Sequence, residues 1–344
     1  MFCMPYNPAT AGNCLGIPYM DHAETDLNPR YERGTLQEVY EMIGKDIEAG
    51  IPLIDDTAYS VPKYHFNYKA ACCFASRYYL FMQDWGNAIK YATMALTSNP
   101  SSLLRDYSAI AALPKGTSRH QEYVNSASTA NFLLQAATSN SGLLFDWYST
   151  AGRYSHGKLQ GIYETVQPKK GGPWGSSVTF KAPHAVLASS GKYVLPRTWR
   201  VFQYTDPVDG TGFNKAISVL FTSEEALLNR AEAYIMKMNE DPTALDKALE
   251  DINLYAANLF SAGFKSMTEA SIIKWATETY PDYSELYVGK TSVSSPQTLN
   301  PKKKLHAAPY NTLEEGGPQE SMLQALIFMR RYQFLHEGMR WFDT

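Results

Sequence analysis

The sequence predicts a mainly α protein in which helical hairpins stack into an α-α superhelix, joined by long irregular loops and a few short strands. Three observations carry that prediction. Apolar residues recur at helical spacing in paired segments, small residues sit where paired helices would touch, and stretches dense in Gly, Ser and Pro separate the pairs. The 344 residues, 44% of them hydrophobic, supply ample material for a sizeable core. We read them as one domain over 1–344, with loop-rich insertions at about 139–222 and 281–318.

The first helix begins at Thr35. Thr35 and Glu38 have capping-box spacing, in which hydroxyl and carboxylate each satisfy an orphan backbone N–H. Leu36, Val39, Tyr40, Ile43 and Ile47 then define one buried face, and Gly50 and Pro52 end it. A loop with Asp55, Asp56 and Pro62 leads to a helix from about Tyr64 to Met82, and another follows from Asp84 to about Ser98. Cys72, Ala75, Ser76, Tyr79, Ala88, Ala92, Ala95 and Pro100 stand at the offsets of a tetratricopeptide unit. Small residues let the two helices approach, Tyr79 fills the space beside them, and Pro100 stops the second helix. Leu227, Ala231 and Tyr234 repeat the first-helix spacing in Glu224–Met238. After a turn at Asn239–Thr243, Ala244–Phe260 supplies the partner helix, with Ala248 and Ile252 facing inward. A last helix spans about Ser321 to His336. Neither hairpin could bury its apolar face alone, so the two should stack on each other and on that helix.

Charge and cysteine usage narrow the function. A formal net charge of −3 with no Lys/Arg-rich block excludes the basic footprint of a nucleic-acid binder. No apolar run reaches the roughly 20 residues that cross a bilayer, and Met1–Pro5 shows no secretory signal. Cys72 and Cys73 read as core, whereas Cys3 and Cys14 could pair in an oxidising compartment. No Cys/His cluster has zinc spacing, Asp206–Gly212 lacks the residues of a phosphate or calcium loop and reads as a tight turn, and no cofactor is expected. Glu224 follows Thr222 and Ser223 in a first helical turn, where negative charge suits the dipole, and adjacent carboxylates such as Glu224-Glu225 seldom make a catalytic pair. No nucleophile elbow or metalloprotease helix appears, so no catalytic residue is assigned.

Five segments, in order, resemble the SusD/RagB-like outer-membrane nutrient-binding lipoproteins. They are Asn7-Pro8 with Leu15-Gly16-Ile17-Pro18-Tyr19, the helix of Thr35 to Leu53, Asp84-Trp85-Gly86-Asn87-Ala88, the hairpin of Leu228 to Tyr234 with Asp251-Ile252-Asn253, and Arg330-Arg331 with Glu337 to Asp343. Met329 and Gln333 stand where that family usually has acidic residues, and Leu254 to Ala257 replace an arginine-containing segment. The resemblance implies a non-enzymatic, cell-surface protein of the outer membrane. It would hold the membrane only through an N-terminal lipid anchor absent from this chain, and pass oligosaccharide or another nutrient to a SusC-like TonB-dependent transporter. It also implies that the chain is a piece of a longer protein, and that Glu337, Arg340 and Asp343 form a structural charge network.

Twenty-four tyrosines, 15 phenylalanines and 6 tryptophans point to where the ligand would sit. Sugar rings present C–H faces that pack on flat aromatic side chains, and loops on a rigid scaffold are a standard place for recognition. The middle loops offer Trp147, Tyr148, Trp174, Tyr193, Trp199 and Tyr204, with Arg153, Arg197 and Arg200 nearby. The expected ligand-binding set is Trp174, Tyr193, Arg197, Trp199 and Tyr204; the alternative for any one Trp is that it plugs its loop onto the helices. Trp85, Trp275 and Trp341 lie in or beside helices and read as packing. Two rival functions are a tetratricopeptide scaffold that binds peptides inside the cell and a glycoside hydrolase on a helical frame, which would need paired carboxylates across a cleft.

Overall fold

The structure, a computed structural model, describes residues 6–114, 117–141, 168, 171–182, 186–188, 192–194, 199–279, 305 and 313–339. Helix α1 (Leu36–Gly50) opens with the capping box that the sequence predicts. Thr35 Oγ1 accepts from the Glu38 amide at 3.1 Å, and Glu38 Oε2 accepts from the Thr35 amide at 2.8 Å. Leu36, Val39 and Ile47 bury its inner face, with Tyr40 and Ile43 packed at the margin. Thr35→Ala should cost about 1 kcal/mol in denaturant unfolding, because one helix-end donor loses its acceptor.

Helices α2 (Tyr68–Phe81) and α3 (Trp85–Leu96) form the first hairpin. Helix α2 starts later than the spacing predicts. Pro62–Tyr64 makes its own 3-10 turn, and Asn67 then caps α2 by accepting from the Ala70 amide at 3.0 Å. Helix α3 ends before Pro100, at Thr97, whose φ of 63° breaks the helical path. The small residues Ala75, Ser76, Ala88, Ala92 and Ala95 are all fully buried. Tyr79 lies flat on Tyr91, ring centroids 5.3 Å apart, and donates its hydroxyl to Glu48 of α1 at 2.7 Å. Cys72 and Cys73 are both core; burial pushes the Cys72 thiol up to about 11 and raises Cys73 well above the ordinary value. Neither is a nucleophile at neutral pH. Cys3 lies outside the described residues.

Short helices α4 (Tyr107–Ala112) and α5 (Thr117–Tyr123) lead into strand β1 (Asn131–Thr138). The span 139–222, read from the sequence as long loops with a few short strands, has two strands longer than that reading among its described residues. It carries β2 (Thr179–Phe180), β3 (Val186–Ala188), β4 (Lys192–Val194) and two long strands, β5 (Trp199–Asp206) and β6 (Thr211–Thr222). Strands β1, β6 and β5 form an antiparallel sheet in that order, while β3 and β4 pair with each other. The sheet escapes a local reading because β1 and β6 meet across more than 70 residues, so neither strand's neighbours in sequence announce the pairing.

Thr222 ends β6 and caps α6 (Ser223–Lys237), accepting from the Glu225 amide at 3.1 Å. Then follow α7 (Ala244–Leu259), β7 (Phe260–Ala262), which pairs with β2, the short α8 (Glu269–Lys274) and α9 (Pro318–Gln333), whose Pro318 sits at the first turn. The second hairpin, α6–α7, packs against α2 and α3 through α6, and α9 packs on α6 as well. The hairpins therefore nest as the sequence predicts.

A polar line runs through this seam. Ser76 Oγ on α2 accepts from Asn229 Nδ2 at 3.0 Å, and Asn229 Oδ1 accepts from Arg330 Nη1 of α9 at 3.1 Å. Arg330 also meets Glu232 at 2.8 Å. Gln333, at a position where the resembled family is acidic, accepts from the hydroxyls of Tyr255 at 3.1 Å and Tyr107 at 3.3 Å. A neutral amide satisfies two buried phenols there without burying a charge.

Candidate functional site

Of the ring-bearing residues singled out from the sequence, Tyr204 is the one whose described side chain meets solvent broadly, at 57% exposure. It stands near the end of β5. Side chains alternate along a strand, so Arg200, Phe202 and Tyr204 share one face. Phe202 meets Tyr204 edge to face at 4.9 Å. Directly across the pair lies Gly212, which contributes no side chain over the tyrosine ring. Any Cβ at Gly212 would fall 2.1 Å from the Gln203 carbonyl oxygen, so the close approach of the two strands requires glycine.

The turn that closes this hairpin is well determined. Asp206 Oδ1 accepts from the amides of Val208 at 2.8 Å and Asp209 at 3.2 Å, Gly210 takes a φ of +66°, and Thr205 donates to the Thr211 carbonyl at 3.2 Å. Asp206–Gly212 is thus the tight turn read from the sequence. Phe213 and Val208 are exposed beside it, so the hairpin end presents rings to solvent on both faces. Phe213 was missed because nothing local to it marks exposure.

Of the remaining predicted residues, the structure describes the backbone of Trp199 and Tyr193 and the side chain of Trp174. Trp199 shares β5 with Tyr204 and pairs in register with Ile217, and Tyr193 lies on β4 opposite Leu187; their side chains fall outside the description. Arg197 lies outside the described residues, as do Arg153, Trp147, Tyr148, Trp341, Arg340 and Asp343. Trp174 is a correction. It is 4% exposed, ringed by Phe180, Phe260, Phe328 and Tyr332, and its indole N–H donates to the Pro168 carbonyl at 3.1 Å. The indole pins its segment onto α9 and β7 and presents no face to a ligand. Trp275 is likewise buried, donating to the Gly171 carbonyl at 2.9 Å.

Three buried acidic residues of the second hairpin are engaged by structural partners. Glu224 accepts from the Arg105 amide at 2.9 Å, Glu225 pairs with Arg77 at 2.6 Å, and Asp251 takes both arms of Arg230. Adjacent Glu224 and Glu225 thus point to different arginines. Arg105 itself is fully buried, donating to the Tyr123 carbonyl at 2.8 Å and Asn131 Oδ1 at 2.6 Å. Glu337 accepts from the Tyr123 hydroxyl at 3.1 Å. Among the described residues, no three His, Cys, Asp or Glu side chains gather as a metal would require, and no helix is long and apolar enough to cross a membrane.

Comparisons with known proteins agree with this architecture. Residues 1–80 match a SusD-like family described as "Starch-binding associating with outer membrane". A SusD-like carbohydrate binding protein from Bacteroides vulgatus aligns over 99% of this chain and 58% of its own, with a TM-score of 0.54 at 17% identity. SusD superfamily proteins from Bacteroides thetaiotaomicron (14% identity, TM-score 0.52) and Bacteroides fragilis (17%, 0.51) also align over 99% of this chain, covering 61% and 62% of theirs. The chain therefore spans about three fifths of the length of these structures. No curated protein matches it. The family match over residues 1–80 and the fold shared with these structures agree with the resemblance read from the sequence: the chain is similar to SusD-like proteins.

Proposed function

We propose that this chain is the binding part of a cell-surface, outer-membrane protein that captures oligosaccharide without cleaving it, for delivery to a SusC-like TonB-dependent transporter. The observation that carries the reading is Tyr204, an exposed ring on a hairpin whose shape is fixed by an Asx turn and two required glycines. A pyranose can lay its C–H face on such a ring at little conformational cost, because the ring is already in place. The carbohydrate-binding relative of the same fold and the starch-binding description of the matched family support a glycan as ligand. Engagement of Glu224, Glu225 and Asp251 by arginines supports binding over hydrolysis. An N-terminal lipid would hold the protein at the surface. Trp199, Tyr193 and Arg197 remain proposed ligand-contact residues, on the same stretch of chain.

Isothermal titration against maltohexaose, xylohexaose and mannohexaose, with reducing ends assayed in parallel, tests the proposal. Binding of at least one glycan without release of reducing ends is expected. Tyr204→Ala should weaken it about tenfold, roughly 1.4 kcal/mol, with little change in stability. Cleavage of the sugar, or no binding by any of the three, would overturn the reading.

A further inference from the structure

The segment between α1 and α2 holds a second cluster of exposed rings that the hairpin does not account for. Tyr59 and His65 lie nearly parallel, 9° apart, with ring centroids at 4.0 Å. Tyr59, Tyr64 and Phe66 are all exposed large side chains, and His65 is exposed with them. Stacked rings in solvent are ordinarily a cost of exposed apolar surface, so the question is whether the loop needs them for its shape.

It does not, because other groups fix the backbone. The segment consists of two successive 3-10 turns, Asp56–Ala58 and Pro62–Tyr64. Asp55 Oδ1 accepts from the Thr57 amide at 3.0 Å and its hydroxyl at 2.6 Å, and Asp56 Oδ1 accepts from the Tyr68 amide at 2.9 Å. Buried Asn67 donates to the carbonyls of Phe132 at 2.6 Å, Pro62 at 3.1 Å and His65 at 3.3 Å. Lys63 reaches across to the Ser128 carbonyl. The loop is therefore held from beneath by polar bonds to β1 and its approach, and Tyr59 and His65 are carried on it ready-placed. Pre-organised rings lose little entropy when a ligand lands on them.

The geometry points to Tyr59 and His65 as a second sugar platform, taking a neutral pyranose on an outer face of the stacked pair. This rests on the glycan-binding reading above and adds a site on a different part of the fold. A flat apolar face rimmed by a phenol hydroxyl and imidazole nitrogens matches a ring with an apolar C–H face and hydroxyls at its edge. Charge favours a neutral sugar. Asp55 and Asp56 lie in the same segment, while Lys63 is directed inward to Ser128, a charge balance that disfavours a uronic acid.

The test uses the full chain and whichever of maltohexaose, xylohexaose and mannohexaose the wild type binds. Tyr59→Ala and His65→Ala should each reduce affinity about three- to tenfold, while Tyr59→Phe and His65→Tyr, which keep a flat ring, hold it within twofold. Melting temperatures of all four should stay near the wild-type value, since the loop's bonds are intact. If Tyr204→Ala weakens binding and the two alanine variants do not, the platform is wrong and the glycan reading stands. If the wild type binds none of the glycans, both fail together. Equal losses in the alanine and the ring-preserving variants would also overturn the platform.

Discussion

Trp174→Ala is expected to remove about 3–5 kcal/mol of folding stability, measured by denaturant unfolding, in line with truncation of a buried large aromatic. The indole meets four rings edge-on at centroid distances from 5.3 to 6.1 Å, contributed by β2, β7 and α9. Its N–H bond to Pro168 would be lost as well, leaving a buried carbonyl without that donor. The packing is tight enough that a Cβ on Gly172 would lie 2.3 Å from the indole Cε2 atom, so Gly172→Ala should destabilise by about 1–3 kcal/mol through overpacking. Trp174→Phe, which keeps an apolar ring, should fall between wild type and Trp174→Ala. An unchanged unfolding midpoint in Trp174→Ala would mean that the indole is not a core element and would return it to the ligand-binding set.

The residues differ in how legible they were, for physical reasons. Helix starts and seams were readable because their determinants are local. Thr35 and Glu38 are three positions apart, and the small faces at Ala75, Ser76, Ala88 and Ala95 recur at helical spacing, so sequence neighbours are structural neighbours. Which indole plugs its loop onto the helices was not readable, because the partners of Trp174 come from Phe180, Phe260, Phe328 and Tyr332, most of them far along the chain. Arg105 carried no signal either, since its acidic partner is 119 residues away. Tyr204 was found because composition marks rings in a Gly-rich stretch, yet the strand beneath it was not. Both faces of the hairpin end are wet, so β5 and β6 lack the clean apolar-polar alternation that flags a strand. The Tyr59–His65 stack spans two turns that only the fold brings together.

Arg230→Met should cost about 3–5 kcal/mol at neutral pH, the range for breaking a buried ion pair from one side. Arg230 Nε and Nη2 donate to the two oxygens of Asp251 at 2.8 and 2.7 Å, and both side chains are largely out of water where α6 meets α7. Burial pushes the Asp251 carboxyl above the usual carboxylate range, with the arginine fork opposing that rise. Without the fork the carboxyl rises further. A raised folded pKa means that the native state binds the proton more tightly than the unfolded chain. That contribution is whole below the unfolded value, about 4, and is lost as pH climbs through the folded one. The variant's deficit should therefore shrink steadily as pH is lowered from 7 toward about 4, where Asp251 can be buried neutral. Arg230→Met combined with Asp251→Leu should regain most of the lost stability and lose this pH dependence, because two apolar side chains need no compensation in the same space. A deficit in Arg230→Met that stays constant across that pH range would show that lost packing of the arginine stem, and not the stranded carboxylate, sets the cost.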